Sequence, residues 1–548
     1  MITMLGVFPS FDEPYEVIVC NGTVWQRMVL FFIVTMRGGM YMAQISINNL
    51  TFGYEGSFDY VFENVSFSID TNWKLGFIGR NGKGKTTFLN LLLGKYQFTG
   101  SISASTKFDY FPYEIAEYQK QMPVAEFMED LKPGCEIWRV ICELEELSES
   151  SEILYRPYCT LSPGERTKIL LAVLFSQENE FLLIDEPTNH LDQNARECVK
   201  VYLASKKGFI LVSHDRDLLD ACTDHCLVLN RCSIEVQNGN FSVWWENKQR
   251  KDKFAIAQNE KHRKEIQKLN HAAEQVAKWA DKNERTKIGF DPIKEHDRCL
   301  STRSFIGAKT KKMQSRVKQM EKRIEREIEE KEGLLEDIEY PKDLKLFQLV
   351  HYKNSLVNVK EYSLQYKDSD KPVFQGLSFD IKKGDRVVLS GKNGSGKTTI
   401  IRKILEKCNS DIGVCVIEEG LCEVAKGLVI SYVGQETIGL KGNVTNYCKT
   451  HDLDRSLFCT ILRQLDFGRE QFTKNMETYS EGQKKKVLLA TSLLTPAHLY
   501  IWDEPLNYID IFSRMQLERL ILKYEPTMLF VEHDRKFCEK IATKVIEL

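Results

Sequence analysis

A chain of 548 residues has room for about two to four domains, and an apolar fraction of 43% supports packed cores and excludes global disorder. The net charge of −2 selects no partner by itself. Fifteen cysteines, an odd count without a repeating pair spacing, argue against a disulfide framework and for a reducing cytoplasm, and the longest apolar run near the start, Met28 to Thr35, is too short to cross a bilayer.

Residues 1–41 show neither a helical nor a strand period, and no basic segment with a cleavage site. Arg37-Gly38-Gly39 can be encoded by a purine-rich ribosome-binding sequence just upstream of a codon for Met42. This leader is therefore expected to be disordered or not translated, with the protein beginning at Met42. From there to residue 244 the pattern is that of a first domain. Ile45 to Phe52 alternates like an edge strand and leads to Tyr54, 25 residues before Gly79. The apolar strand Leu75 to Ile78 then runs into Gly79-Arg80-Asn81-Gly82-Lys83-Gly84-Lys85-Thr86, followed by Thr87 and an apolar helix. This fits G-x-x-x-x-G-K-[ST], in which backbone N–H groups and a helix N-terminus cradle phosphates. Lys85 is expected to reach the β/γ-phosphates of ATP and Thr86 to hold Mg²⁺. Tyr54 is placed to stack on adenine.

Ser162-Pro163-Gly164-Glu165 opens a further helix, with Ser162 as N-cap and Glu165 completing a capping box; such a helix start is also an anion site. Phe181 to Glu186 reads as a buried parallel strand ending in two acids, which would face the ligand crevice of a doubly wound sheet. Asp185 is expected to bind Mg²⁺ and Glu186 to polarise the attacking water as general base. A strand from Gly208 to Val212 leads to His214, placed to sense the γ-phosphate. Cys222, Cys226 and Cys232 near His225 match no zinc-ligand spacing and read as structural thiols.

Residues 346–548 replay this order. Tyr366 precedes Gly391 by 25 residues, and Gly391-Lys392-Asn393-Gly394-Ser395-Gly396-Lys397-Thr398, then Thr399, repeat the phosphate loop. Gln435 follows a strand, Ser480, Gly482 and Gln483 open a helix, Asp503-Glu504 end an apolar strand, and His533 follows. From serine to glutamate both gaps are 24 residues, and from glutamate to histidine they are 28 and 29. The chain is an α/β protein with two P-loop NTPase domains.

Between them, residues 245–345 carry helical spacing in two blocks, Ile266, Leu269, Ala273 and Val276, then Met313, Val317, Met320, Ile324 and Ile328. An antiparallel α-helical hairpin with a coiled-coil seam is expected, its first helix running from about Trp245 to Asp281. Charge is sorted along it: Lys282 to Lys318 holds 11 Lys/Arg against 4 Asp/Glu, and Glu321 to Glu339 holds 4 against 9. A basic apex with Phe290, Arg298, Arg303, Phe305 and Lys309 suits phosphate contact and stacking on unpaired RNA bases.

Two phosphate loops, serine signatures at Ser162 and Ser480, paired acids and switch histidines resemble two ATP-binding cassettes, and their joining by a long charged linker without membrane spans resembles the ABC-F ATPases over residues 42 to 548. The resemblance implies head-to-tail closure, in which Lys85 and Glu186 share one ATP with Ser480 and Gly482, and Lys397 and Glu504 share another with Ser162 and Gly164. It implies Mg²⁺ contact for Thr398, Asp503 and Gln435. Its partner would be the bacterial 70S ribosome, with the linker in the E site reaching toward the P-site tRNA and the 23S rRNA of the peptidyl-transferase centre; no membrane is involved, and off the ribosome the protein would be a monomer. The phrases Thr71 to Gly76, Leu499 to Tyr508 and Ile306-Gly307-Ala308 are similar to those of Lsa-type members, which protect against lincosamides, pleuromutilins and streptogramin A. This chain departs from the family at Pro163, Glu481, Tyr479, Tyr113 (for the Mg²⁺-contacting glutamine) and Tyr508, so the two sites are expected to hydrolyse ATP at different rates. A housekeeping ABC-F translation factor and the ATPase subunit of a transporter are the alternative readings.

Overall fold

The computed structural model describes residues 44–55, 60–189, 191–230, 232–288, 344–366, 372–408, 416–437 and 439–548, with short helical stretches between 315 and 326. The expected leader and the apex residues Phe290, Arg298, Arg303, Phe305 and Lys309 lie outside the described residues.

Each half has two sheets. In the first, β1 (Gln44–Phe52), β2 (Phe62–Asp70) and β4 (Thr99–Ser103) form an antiparallel sheet in the order β2-β1-β4, with β3 (Lys74–Ile78) belonging elsewhere. The edge-strand reading of Ile45 to Phe52 is thereby corrected, because β1 is central. Alternation reports only which face is buried, here Ile45, Ile47 and Leu50, and not whether both backbone edges are paired.

The larger sheet adds β5 (Lys107–Phe111), β6 (Glu180–Asp185), β7 (Phe209–Val212), β8 (His225–Leu229) and β9 (Ile234–Asn238) in the order β5-β6-β7-β3-β8-β9. All its neighbours are parallel except β8 and β9. The second half repeats both sheets. Strands β10 (Ser355–Tyr366), β11 (Pro372–Lys382) and β13 (Val416–Val424) are ordered β11-β10-β13. Strands β12 (Arg386–Ser390), β14 (Ile430–Val433), β15 (Leu499–Asp503), β16 (Met528–Val531) and β17 (Lys544–Glu547) make a parallel sheet in the order β14-β15-β16-β12-β17.

This order fixes where chemistry can occur. β7 lies between β6 and β3, and Val212 is registered against Asp185 on one side and Phe77 on the other. The carboxyl ends of β3, β6 and β7, followed by the phosphate loop, Glu186 and His214, therefore open into one crevice. In the second half Val531 is registered against Asp503 and Leu389, giving the same convergence.

The linker helix spans Phe241–Ile288, 48 residues and roughly 72 Å. It starts four residues before the expected Trp245, because Phe241 and Trp244 are buried in the first half's core. At the other boundary, Leu344 and Leu346 pack into the second half's core. No helix among the described residues is long and apolar enough to cross a membrane.

Candidate functional site

Both phosphate loops pass from strand to helix through glycines that other residues cannot replace. Gly84 and Gly396 have φ of 109° and 97°, and a Cβ at either would lie 2.5 Å from Val61 or Val373. In the first loop Lys85 Nζ donates to the carbonyls of Gly79 (2.7 Å) and Arg80 (3.3 Å) and to Asn81 Oδ1 (3.2 Å). In the second, Lys397 Nζ donates to the carbonyls of Gly391 and Lys392, both at 2.7 Å. Burial lowers the pKa of both lysines. Tyr54 and Tyr366 sit beside their loops in matching fashion, each hydroxyl hydrogen-bonded to the threonine after the loop, Thr87 at 2.7 Å and Thr399 at 2.8 Å. Both rings remain substantially exposed, as a base-stacking face requires.

The acids emerge next to the loops. Thr86 Oγ1 donates to Asp185 Oδ2 at 3.0 Å. Asp503 is fully buried, neither of its carboxylate oxygens completes a hydrogen bond, and burial raises its pKa to about 6. Glu186 and Glu504, one residue beyond their strands, have φ of 51° and 49°. For a non-glycine residue this left-handed geometry costs about 1–3 kcal/mol, and it occurs at the same point in both halves. The turn aims each carboxylate at its switch histidine: His214 Nε2 lies 3.3 Å from Glu186, and His533 Nε2 lies 3.6 Å from Glu504.

The glutamates differ in their further partners. Glu504 Oε2 accepts from the amides of Gln435 (3.0 Å) and Asn507 (2.7 Å). Gln435, expected beside Mg²⁺, thus hydrogen-bonds the glutamate here, and not Thr398 or Asp503. Tyr113, at the corresponding place in the first half, donates instead to Asp109 Oδ2 at 2.6 Å. Glu186 receives the His214 backbone N–H at 3.3 Å. Burial, then the Asp185 charge, raises the Glu186 pKa. Burial would also raise Glu504, but His533 and Gln435 outweigh it and the net shift is downward.

A protonated carboxyl cannot take a proton from water. A Glu504→Gln form, which relies on Glu186, is therefore expected to turn over ATP more slowly near neutrality and to gain as pH rises. A Glu186→Gln form is expected to be flat over the same range. Steady-state phosphate release against pH checks this; superimposable profiles would contradict it.

Both capping boxes form. Ser162 Oγ accepts from Glu165 N at 3.2 Å and Glu165 Oε2 accepts from Ser162 N at 2.7 Å; Gln483 does the same for Ser480. Pro163 occupies the first position of its helix, where its missing N–H breaks no helical bond. The helix Glu481–Leu494 is additionally tied down by Glu481, which accepts from Thr437.

The two halves meet at the first phosphate loop. Asn81 Nδ2 donates to the Tyr508 carbonyl at 2.9 Å, and Arg80 pairs with Asp466 at 3.0 Å. The same carbonyl would lie 2.7 Å from a Cβ at position 482, so Gly482 is required by this approach, whereas Gly164 has room to spare. Phosphate loop, signature glycine and the Asn507–Asp510 turn thus converge on one atom, from opposite halves. On the other side, Lys397 lies within the field of Asp192.

The sequence reading missed Tyr110, whose hydroxyl donates to Asp185 at 3.3 Å, and the role of Asn507. No signal in the sequence marks the first, because its reach to Asp185 depends on β5 lying parallel beside β6, with Tyr110 registered against Leu183. The second lies within the Leu499 to Tyr508 phrase.

The ABC transporter family matches residues 62–189 and 374–507. The chain is 27% identical over 500 residues to the ribosome protection protein VmlR of Bacillus subtilis (strain 168), spanning 90% of this chain and 85% of VmlR. It is 23% identical over 572 residues to ABC transporter F family member 5 of Arabidopsis thaliana, spanning 92% of this chain and 75% of that protein. Its fold is like that of the crystal structure of archaeal ribosomal stalk protein aP1 with archaeal ribosome recycling factor aABCE1, with a TM-score of 0.54, 17% identity and coverage of 91% and 87% of the two chains. With two cassettes that each bring a phosphate loop, a strand-end glutamate and a histidine into one crevice, this chain is an ATPase built from two ATP-binding cassettes and is similar over most of its length to ABC-F proteins.

Proposed function

We propose that this ATPase is a ribosome-protection protein, which binds the E site of the bacterial 70S ribosome and displaces lincosamides, pleuromutilins and streptogramin A from the peptidyl-transferase centre. The observation that carries this reading is a 48-residue helix rooted in the core of the first cassette, in a chain similar over 90% of its length to VmlR. The resemblance to Lsa-type members supports the drug range. Burial of Ala255 and Asn259 on that helix and of Ile324 beyond it supports a packed hairpin across residues 245–345.

ATP would be held between the halves, on Gly79 to Thr87 with Ser480 and Gly482, and on Gly391 to Thr399 with Ser162 and Gly164. Tyr54 and Tyr366 would stack on adenine. Mg²⁺ fits the donors present: Thr86 with Asp185, and Thr398 with Asp503, whose buried oxygens lack other partners. When bound it supplies charge neutralisation at the phosphates. Lys85 and Lys397 exchange loop carbonyls for phosphate oxygens, while Glu186 and Glu504 accept a proton from water held against His214 and His533. Bound nucleotide favours the closed halves and so sets where the linker points.

Expression in a sensitive Gram-positive host is expected to raise tolerance to the three drug classes. Alanine at Phe290, Arg298, Arg303, Phe305 and Lys309 together should remove that gain while ATPase activity persists. Unchanged protection by the five-fold variant would contradict the assignment of the apex. No change in tolerance with the unaltered protein would favour a housekeeping translation factor.

A further inference from the structure

We propose that Phe512 is a positioning residue that couples the nucleotide site at the first phosphate loop to the base of the linker helix. Phe512 is the second residue of the helix Ile511–Tyr524, directly after the Asn507–Asp510 turn whose Tyr508 carbonyl accepts from Asn81. It belongs to the second half, yet its ring rests on the first. Trp244 and Trp245 meet it with ring centroids 6.1 and 6.0 Å away, the former edge-on. Lys248 of the linker helix places its ammonium 5.0 Å from the ring centroid, and Arg80 of the phosphate loop places its guanidinium carbon 5.9 Å away. One ring therefore touches the phosphate loop and the first two turns of the linker helix together.

The anchoring of its neighbours makes this contact a transmission point. Trp244 is buried in the core of the first half, and Phe241 stacks parallel to Trp245, so the helix base is held by that half. Ile511, Phe512 and Met515 of the second half pack into the same cluster. Relative movement of the halves must slide Phe512 across the two tryptophans. Nucleotide that draws the Tyr508 turn against Asn81 sets the ring four residues further on, and through it the direction in which the helix leaves the first half.

The repeat indicates that the cassette fold does not demand this aromatic. Phe512 lies two residues after Asp510; two residues after Asp192, in the first half, stands Asn194. Both aspartates cap their helices in the same way, accepting from Ser513 N and Ala195 N at 2.9 Å. The aromatic occurs only in the half whose helix start faces the linker.

The inference goes beyond ribosome protection and does not depend on it, because the readout lies in the free protein. Hydrogen exchange of amides 241–255 is followed in the full chain carrying Glu186→Gln and Glu504→Gln, with and without ATP and Mg²⁺. ATP is expected to slow exchange at the helix base. Phe512→Asn, which installs the first half's own residue type, and Phe512→Leu, which keeps apolar bulk but removes the ring, should each abolish the response while ATP still binds. Phe512→Tyr should retain it. The proposal is overturned if either variant responds to ATP as its parent does, or if ATP leaves the parent's helix base unchanged. It is also overturned if Phe512→Leu loses ATP binding together with the response, which would assign the ring to the nucleotide site. Should Phe512→Asn fail to fold, the leucine variant decides.

Discussion

Replacing Glu186 and Glu504 together by glutamine is expected to lower ATP turnover by about 10²–10⁴-fold, the usual contribution of a general base, while ATP binding survives. Both side chains follow the last residue of a core strand, both adopt a positive φ, and both face a histidine that is nine-tenths buried. Glutamine keeps the volume and the histidine contact but cannot take a proton. The aspartates beside them are left in place, so the donors suited to Mg²⁺ remain. Phosphate release in the steady state, with nucleotide binding measured in parallel, checks this. A double variant turning over ATP within about tenfold of the parent would show that these carboxylates are not the bases.

The second large effect lies at the junction of the halves. Arg216, two residues after the switch histidine, forms a two-pronged ion pair with Glu518 of the other half, with the residues 3% and 4% exposed. Removing one member of such a pair costs about 3–5 kcal/mol because the other charge stays buried without compensation. Arg216→Ala is therefore expected to lower the first unfolding transition in denaturant by that amount. Arg216→Leu combined with Glu518→Leu should recover most of it. A loss below about 1 kcal/mol in the single variant would mean that solvent or Lys540, 3.4 Å from Glu518, already satisfies the carboxylate. The pair has no counterpart across the pseudo-twofold. Lys200 stands where Glu518 would be repeated and pairs with Asp217, and Arg535 stands where Arg216 would be and pairs with Glu539. Among the described residues this two-pronged pair is not repeated at the equivalent positions.

The parts legible in the sequence are those governed by short-range geometry repeated twice. Gly84 and Gly396 are legible because the loop needs them, and the serine caps because their partners lie three residues on. The acids and histidines are legible because an apolar run of strand length ends just before each. The legibility stops where distant segments meet. Nothing near Glu518 in the chain announces Arg216, 302 residues away. Tyr508 stands out in the sequence only as a departure from the family, and Phe512 does not stand out at all; their roles lie in the contacts with Asn81 and with the Trp244-Trp245 pair. The β1 misreading has a different origin: side-chain alternation carries no information on how many backbone edges are paired. Unequal sites are expected from five departures together, Tyr113 among them; that Tyr113 turns to Asp109 and leaves Gln435 without an equivalent beside Glu186 is visible only in the structure.

Sedimentation of the Glu186→Gln, Glu504→Gln form with bacterial 70S ribosomes tests most directly whether nucleotide closure drives the linker onto the ribosome. With ATP and Mg²⁺ the protein is predicted to pellet with the particles, and without nucleotide to remain in the supernatant. Protein that stays free of the ribosome when loaded with ATP would contradict the account.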